Sequence, residues 1–510
     1  MKHVSTSTIR LSAFTAMTTF LSACGMFANI DYELIEPRLA TFSSCDELKT
    51  ESALHQKNYN SLYYQINKSN HQRSSDKVMS GSAQDEASGG ALATAHHTER
   101  QVEGVNELDT VAVSEHHIIS SLGSNLAILD RSSKTFLGYV DLSETQNAKV
   151  MVEGDTLYTI SGKYTETNTI TRVAAYSLSQ GDIPALISHS EFNGSLLQAR
   201  AVEGRVILVL NNYFYSEASA LTAVASNLSK NAYNKIACTD IVKPIINDLS
   251  ASWIEVHSLR LAEDSVEKHS LGLPGSGQEI FMSQNNLYIL KQGLEFSNML
   301  HSFWTLNDTE QHNTFTTLND STFVIKISFD KNTGSLEARS LGLVPGSIKN
   351  SYSVNEIYAE EKELFAMATT SSKNWINNNH FVVLEENPID RNSLIMIAKT
   401  PDFATGETIR SVRFDSEYAY VVTFRETDPL YAISIKNPRH PIIAGELKVP
   451  GFSSYLKKLS SAQLIGIGYD ANESTGEIKG IQLSVFNIHN PLNMFRESNV
   501  TLGSSGSYST

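Results

Sequence analysis

Cysteine is nearly absent: the 510 residues hold three, at positions 24, 45 and 238. They form no CxxC pair, so a thiolate zinc site or a dithiol redox centre has no support in the sequence. Basic clusters are missing as well. Forty Lys and Arg stand against 55 Asp and Glu, for a formal charge of −15. Such a balance repels a phosphate backbone and argues against nucleic acid as a partner. Beyond the N-terminus no run approaches the roughly 18 apolar residues of a membrane-spanning helix. The chain has no GxSxG elbow, P-loop, dinucleotide-binding glycine pattern or HExxH. The common signatures of hydrolytic, nucleotide and zinc chemistry are therefore lacking, and no cofactor or metal is expected.

What is present begins at the N-terminus. Lys2, His3 and Arg10 precede "LSAFTAMTTFLSA", a short apolar stretch ending in small residues. This reads as an export signal over residues 1–23 rather than a span. It closes on Leu21-Ser22-Ala23-Cys24, followed by Gly25, and resembles the lipobox of bacterial lipoproteins. That resemblance implies a diacylglycerol on the Cys24 thiol and cleavage before it; the alternative is an ordinary cleaved signal with a chance cysteine. Two or three acyl chains, at about 0.8 kcal/mol per buried methylene, anchor a protein stably. Losing residues 1–23 removes Lys2 and Arg10 and makes the charge two units more negative. Gly25, where many retained lipoproteins carry aspartate, implies the outer membrane in a cell that has two.

Two cysteines then remain, and in an oxidising compartment Cys45 and Cys238 are expected to pair, the alternative being two buried thiols. Residues 44–57 read as a short helix, with Ser44 and Glu47 placed for a capping box. Residues 66–100 are polar, Ser- and Gly-rich and without period, so residues 24–100 are expected to form a lipid-linked tether carrying that helix.

From residue 101 a pattern repeats. A polar turn followed by an apolar run recurs at 115–122, 154–161, 203–210, 284–291, 361–368, 416–423 and 461–468. The leading apolar residues are Ile118, Leu157, Val206, Leu287, Leu364, Tyr418 and Leu464, spaced 39, 49, 81, 77, 54 and 46 apart. Most copies continue into a second strand and turn, so one unit is three or four short antiparallel strands. A period of about 40–50 residues is that of a propeller blade, and blades stacked about an axis bury one another's faces. The fold expected is all-β: a propeller of about seven blades over residues 101–510, or eight with the last incomplete. Unrelated hairpins in one or two sandwiches are the competing arrangement. The first long interval holds "SEASALTAVASNLSKNAYNKIAC", with Leu221, Val224, Ala225, Leu228, Ala232 and Ile236 on one helical face. This predicts a helical insertion at about 214–250 carrying Cys238. The second, around 293–320, reads as a long loop.

Specific stretches support the same architecture. "QVEGVNELD" at 101–109, "GSIKNSYSVNEIYAEEKELFAMATT" at 346–370, the run "SVRFDSEYAYVVTFRETDPLYAISIKNPRHPIIAGELKVPGFSSYL" and "LSVFNIHNPLN" at 483–493 resemble a bacterial family of secreted proteins named only for their β-propeller domain. The resemblance covers about residues 40–510 and implies a propeller, export and no established activity. The family's pattern has aspartate where Asn106 stands, and it runs on past Thr510, which implies an unfilled last blade and an unpaired strand edge.

Few side chains stand out as chemistry. Glu103, Glu107 and Asp109 would suit a cation such as calcium, or solvated turns where the tether meets the first blade; the second reading is preferred. Arg413, Asp428 and Tyr431 lie in the most family-like segment, as a strand-tying Arg–carboxylate pair or as polar ligand contacts in a central channel. The functional expectation is a lipid-anchored envelope propeller acting as a binding scaffold for protein or polymer partners. The alternative is a hydrolase or lyase acting on an envelope polysaccharide or peptide.

Overall fold

In the computed structural model the described residues are 38–50 except 45 and 49, and 100–504 interrupted at 143–144, 165–168, 180–181, 214–235, 237–239, 245–251, 264, 294–319, 374–375, 425–427 and 472–477. Residues 100–504 are built almost wholly of antiparallel strands, which fall in chain order into seven sheets. Sheet I comprises Val111–Val113, His117–Leu122, Asn125–Asp130 and Phe136–Asp141. Sheet II comprises Gln146–Glu153, Thr156–Tyr164, Thr169–Ser177 and Ala185–Asn193. Sheet III comprises Ser195–Val202, Arg205–Tyr213, Ser252–Ala262 and Ser265–Pro274, with Asn106–Glu107 added beside its first strand. Sheet IV comprises Glu279–Met282, Asn286–Gln292, Ser321–Phe329 and Leu336–Pro345. Sheet V comprises Val354–Ala359, Lys362–Lys373, Ile376–Glu386 and Leu394–Lys399. Sheet VI comprises Thr408–Phe414, Tyr418–Phe424, Asp428–Ser434 and Ile442–Val449. Sheet VII comprises Phe452–Lys458, Gln463–Ala471, Ile478–Asn487 and Phe495–Leu502. In every sheet the strands pair in sequence order.

All seven leading residues of the repeat lie in the second strand of their sheets. The long spacings have one cause: each falls between the second and third strands of a sheet, in III at 214–251 and in IV at 293–320. Within the first insertion, Val242–Pro244 pairs antiparallel with Leu39–Thr41, a two-stranded sheet outside the repeat. The predicted helical face at 221–232 and the loop at 294–319 lie outside the described residues, as do Cys24, Cys45 and Cys238. Of the predicted N-terminal helix, Asp46–Leu48 and Thr50 are helical. Ser44 Oγ accepts from the Glu47 amide at 3.1 Å, but the Glu47 carboxylate accepts from Ser43 N at 2.7 Å rather than from Ser44. The cap is thus shifted by one residue on its return arm.

The inner strands are apolar on successive residues because both faces of a sheet are covered. In sheet II, Val150, Leu157 and Ala174 pack toward sheet I, while Met151, Tyr158, Val173 and Ala175 pack toward sheet III. The same division repeats along the chain, giving an apolar cluster at each of six junctions from I–II to VI–VII. Burying an aliphatic side chain at such a junction stabilises by about 1.5–3 kcal/mol, which a single sheet could not obtain alone. Polar ties reinforce the junctions. Arg205 in sheet III, fully buried, donates through Nε to Lys331 O at 2.9 Å and through a terminal nitrogen to Asn332 O at 2.7 Å, both in the sheet IV hairpin. Gly334 closes that hairpin at φ +77°, and a Cβ there would stand 2.2 Å from the guanidinium. Only glycine fits this turn on both counts.

Candidate functional site: an inner strap, a charged cleft and an uncovered seam

The segment leading into sheet I runs past the first strands of other sheets. The Gln101 side chain donates to Ser351 O at 2.7 Å and Val354 O at 3.2 Å, at sheet V. Gln284 of sheet IV donates to Glu103 O at 3.2 Å. Asn106 and Glu107 pair with Ala201 and Arg200 of sheet III, and Asp109 bridges Val150 of sheet II. Val105 is buried in the III–IV cluster. The three acidic residues singled out in the sequence therefore lie along one strap rather than around one point. Glu107 accepts from Gln101 N at 3.0 Å and approaches Arg200 at 3.7 Å, and Asp109 Oδ1 accepts from Thr110 N at 2.6 Å. Arg200 also faces Glu279, whose pKa burial raises while that cation opposes the shift. Their arrangement favours a backbone brace over a cation cage. Asn106 is buried.

Arg413 and Tyr431 are not brought together. Arg413 lies over the Tyr352 ring at 5.6 Å. Tyr431 meets Phe403 edge-on at 5.2 Å within the V–VI cluster, and burial, then Glu446, pushes its pKa far above the usual phenol value. The backbone of Asp428 pairs with Val449, and its side chain lies outside the described residues.

A cleft of about 540 Å³, lined by Lys326, Tyr358, Glu363, Glu386 and Arg391 among others, opens between sheets IV and V. Buried Lys326 holds both carboxylates, Glu363 at 2.7 Å and Glu386 at 3.1 Å. Burial alone would raise Glu363, but the Lys326 hydrogen bond and charge outweigh it and keep its pKa below the usual value. Glu356, deeper in, accepts from Tyr288 Oη at 2.7 Å and Asn286 Nδ2 at 2.8 Å, and burial raises its pKa. A carboxylate already neutralised by lysine is a poor general base, so this network ties two sheets.

The third feature is the seam between the last sheet and the first. Sheet VII, like the six before it, carries four strands. Among the described residues, however, the apolar clusters run from I–II to VI–VII and none spans VII and I. Register shows what is left open, because cross-strand partners share a face. Leu464 and Phe486 pair and pack toward sheet VI. The other face of sheet VII therefore carries Ile465, Ile467, Ile481, Leu483, Val485 and Val500. Val500 is 49% exposed and Leu502 51%. In sheet I, Ile119, Leu126 and Ile128 are fully buried toward sheet II; the opposite face carries Val111, Ile118, Leu129 and Tyr139, the last 57% exposed. Both end faces carry aliphatic residues, as do the faces that meet at the six junctions. Repeat spacing marked the strands but not which faces lack a neighbour.

The chain is 32% identical over 195 residues to an "Uncharacterized protein" of Archaeoglobus fulgidus, a match covering 38% of this chain and 27% of that protein. It is 24% identical over 453 residues to "Uncharacterized protein MJ1554" of Methanocaldococcus jannaschii, covering 77% of this chain and 68% of the relative. Among solved structures, Kluyveromyces lactis Hsv2 aligns with TM-score 0.36 and 9% identity, over 78% of this chain and 99% of that one. A eukaryotic initiation factor aligns with TM-score 0.32 and 12% identity, over 76% and 87%. Residues 96–510 match the family described as "Beta propeller domain", and with most of its length covered the chain belongs to that β-propeller family.

Proposed function

We propose that this protein is a lipid-anchored binding scaffold of the cell envelope, held to a membrane through Cys24, whose seven sheets act as seven blades with an eighth position open between VII and I. The observation that carries this reading is the pair of apolar end faces that no cluster joins, on which Val111, Tyr139, Val500 and Leu502 are exposed and the other aliphatic residues named are only partly buried. An apolar surface of this kind on an exported protein suits an interaction site, and the six junctions within the chain, where one antiparallel sheet packs on another through aliphatic residues, support one kind of occupant. The occupant proposed is such a sheet supplied by a protein partner. A photo-crosslinking side chain introduced at Leu483 in native envelopes should capture a discrete polypeptide that a probe at Tyr164, exposed in sheet II, does not. Identical adducts from both positions would refute the seam as the binding site, and release of the Cys24→Ser protein from membranes would support the anchor.

A Cys45–Cys238 disulfide belongs to the same proposal. Leu39–Thr41 pairs with Val242–Pro244, ending on Thr41 opposite Val242, and each cysteine stands four positions beyond that pair along its own segment. Leu48, Phe42, Ile236, Ile241 and Trp253, drawn from the same two segments and sheet III, form one buried cluster. Non-reducing peptide mapping should recover the two cysteines in one linked fragment; two alkylatable thiols would show them free.

A further inference from the structure

Three chain segments converge at the far end of sheet V. Ser371 lies near the end of Lys362–Lys373, His380 lies on the adjacent strand, and Asp402 lies in the connection that follows Leu394–Lys399. Ser371 Oγ is 2.7 Å from His380 Nε2. On the other side of the ring, His380 Nδ1 stands 3.0 Å from Asp402 Oδ1, off the line of a formed hydrogen bond. The imidazole is buried, Ser371 is half-buried and Asp402 is exposed, so solvent reaches the hydroxyl while the ring is sheltered.

The neighbouring residue explains the placement. Asn379, fully buried, donates through Nδ2 to Phe403 O at 3.2 Å, Ala404 O at 3.1 Å and Glu407 O at 3.3 Å, and its backbone bridges Phe403. This clamp sets the Asp402 connection beside His380. Lys399 Nζ, 3.2 Å from the same carboxylate oxygen, limits how far Asp402 can favour an imidazolium. Burial, then the Lys399 charge, presses the His380 pKa below its ordinary value against the pull of Asp402. A ring that is neutral at neutral pH can accept a proton.

We propose that Ser371 is a nucleophile activated by His380 and oriented by Asp402, able to take the acyl group of a small neutral or cationic ester. Ser371 Oγ bonds to the acyl carbon as its proton passes to His380 Nε2. The ester C–O bond then breaks, with that proton moving to the leaving alcohol. Water hydrolyses the acyl-serine by the same proton path, restoring the hydroxyl. The charge preference follows from two carboxylates beside the serine: Asp402, and Asp320, whose Oδ2 accepts from Ser372 N at 2.7 Å. Anionic esters are repelled from such a place. A second group of the same residue types, Ser270, His257 and Glu255, has its histidine and carboxylate fully buried and its ring against Phe192 at 4.7 Å. There the serine is partly buried like Ser371, but its carboxylate is enclosed with the ring instead of exposed as Asp402 is, and the group takes no part in the proposal.

The test uses the full chain and a fluorophosphonate probe. Peptide mapping should place one adduct on Ser371; Ser371→Ala should abolish it and Ser372→Ala should leave it unchanged. Asp402→Asn and His380→Gln should each slow labelling at least ten-fold, with the wild-type rate rising with pH to a plateau below the ordinary histidine midpoint. Asp402 is exposed, so its variant keeps the question decidable if His380→Gln does not fold. No adduct on folded protein, an adduct elsewhere, or a rate indifferent to Asp402→Asn would overturn the proposal. The outcome is independent of any partner at the seam.

Discussion

Single residues hold the sheets in place through buried polar contacts that the sequence does not mark. Arg205 looks like any strand residue in "EGRVILVL", yet its guanidinium caps a hairpin more than a hundred residues away. Gly334→Ala should therefore destabilise the protein by at least about 1–2 kcal/mol from its left-handed backbone alone, and by more once Arg205 is displaced. Urea denaturation checks this, and an unchanged midpoint would count against the packing described. Glu356 gives a pH-dependent case. Its folded pKa is raised by burial, so folding binds a proton in the window above the ordinary glutamate value. Stability from this group is present below that value and falls as pH rises through the folded pKa. The free energy of Glu356→Gln, compared with wild type at pH 4 and pH 7, should shift in favour of the variant at the higher pH.

At the scale of elements, the repeat was legible because strands impose a period of two and turns interrupt it. Seven leading residues identified the second strand of every sheet. The strap at 101–109 was legible only as family-like sequence. Its acidic residues read as solvated turns in preference to a cation site, and its pairing with sheet III and bridging to sheet II are backbone contacts that no local pattern encodes. Glu107→Gln removes the charge facing Arg200 while keeping an acceptor for Gln101 N. Because Glu107 is only partly exposed and its contact with Arg200 is 3.7 Å, the expected loss is modest, about 1 kcal/mol or less. A collapse of the fold in thermal denaturation would show the strap to be more than a brace.

For the whole molecule, the decisive question is which sheet faces have neighbours. Leu464 and Leu483 sit in adjacent strands of one sheet and look alike in sequence, but only Leu464 is fully buried against sheet VI. Leu464→Lys should unfold the protein, since an unpaired charge in a sealed apolar junction costs several kcal/mol. Leu483→Lys should leave the melting temperature within a few degrees of wild type and abolish partner capture at the seam. Equal destabilisation by both substitutions would mean that the face of sheet VII is covered.

By itself the sequence determined the strands, their grouping into repeats and the all-β architecture, because alternation and turn chemistry act between residues close along the chain. Tertiary structure alone decided where the two long insertions enter their sheets, that Arg413 and Tyr431 lie apart, and that Ser371, His380 and Asp402 meet. It also decided which apolar faces share a cluster with a neighbouring sheet. Those outcomes depend on how sheets stack and where distant connections are clamped, and contacts between far-separated residues leave no period in the chain to read.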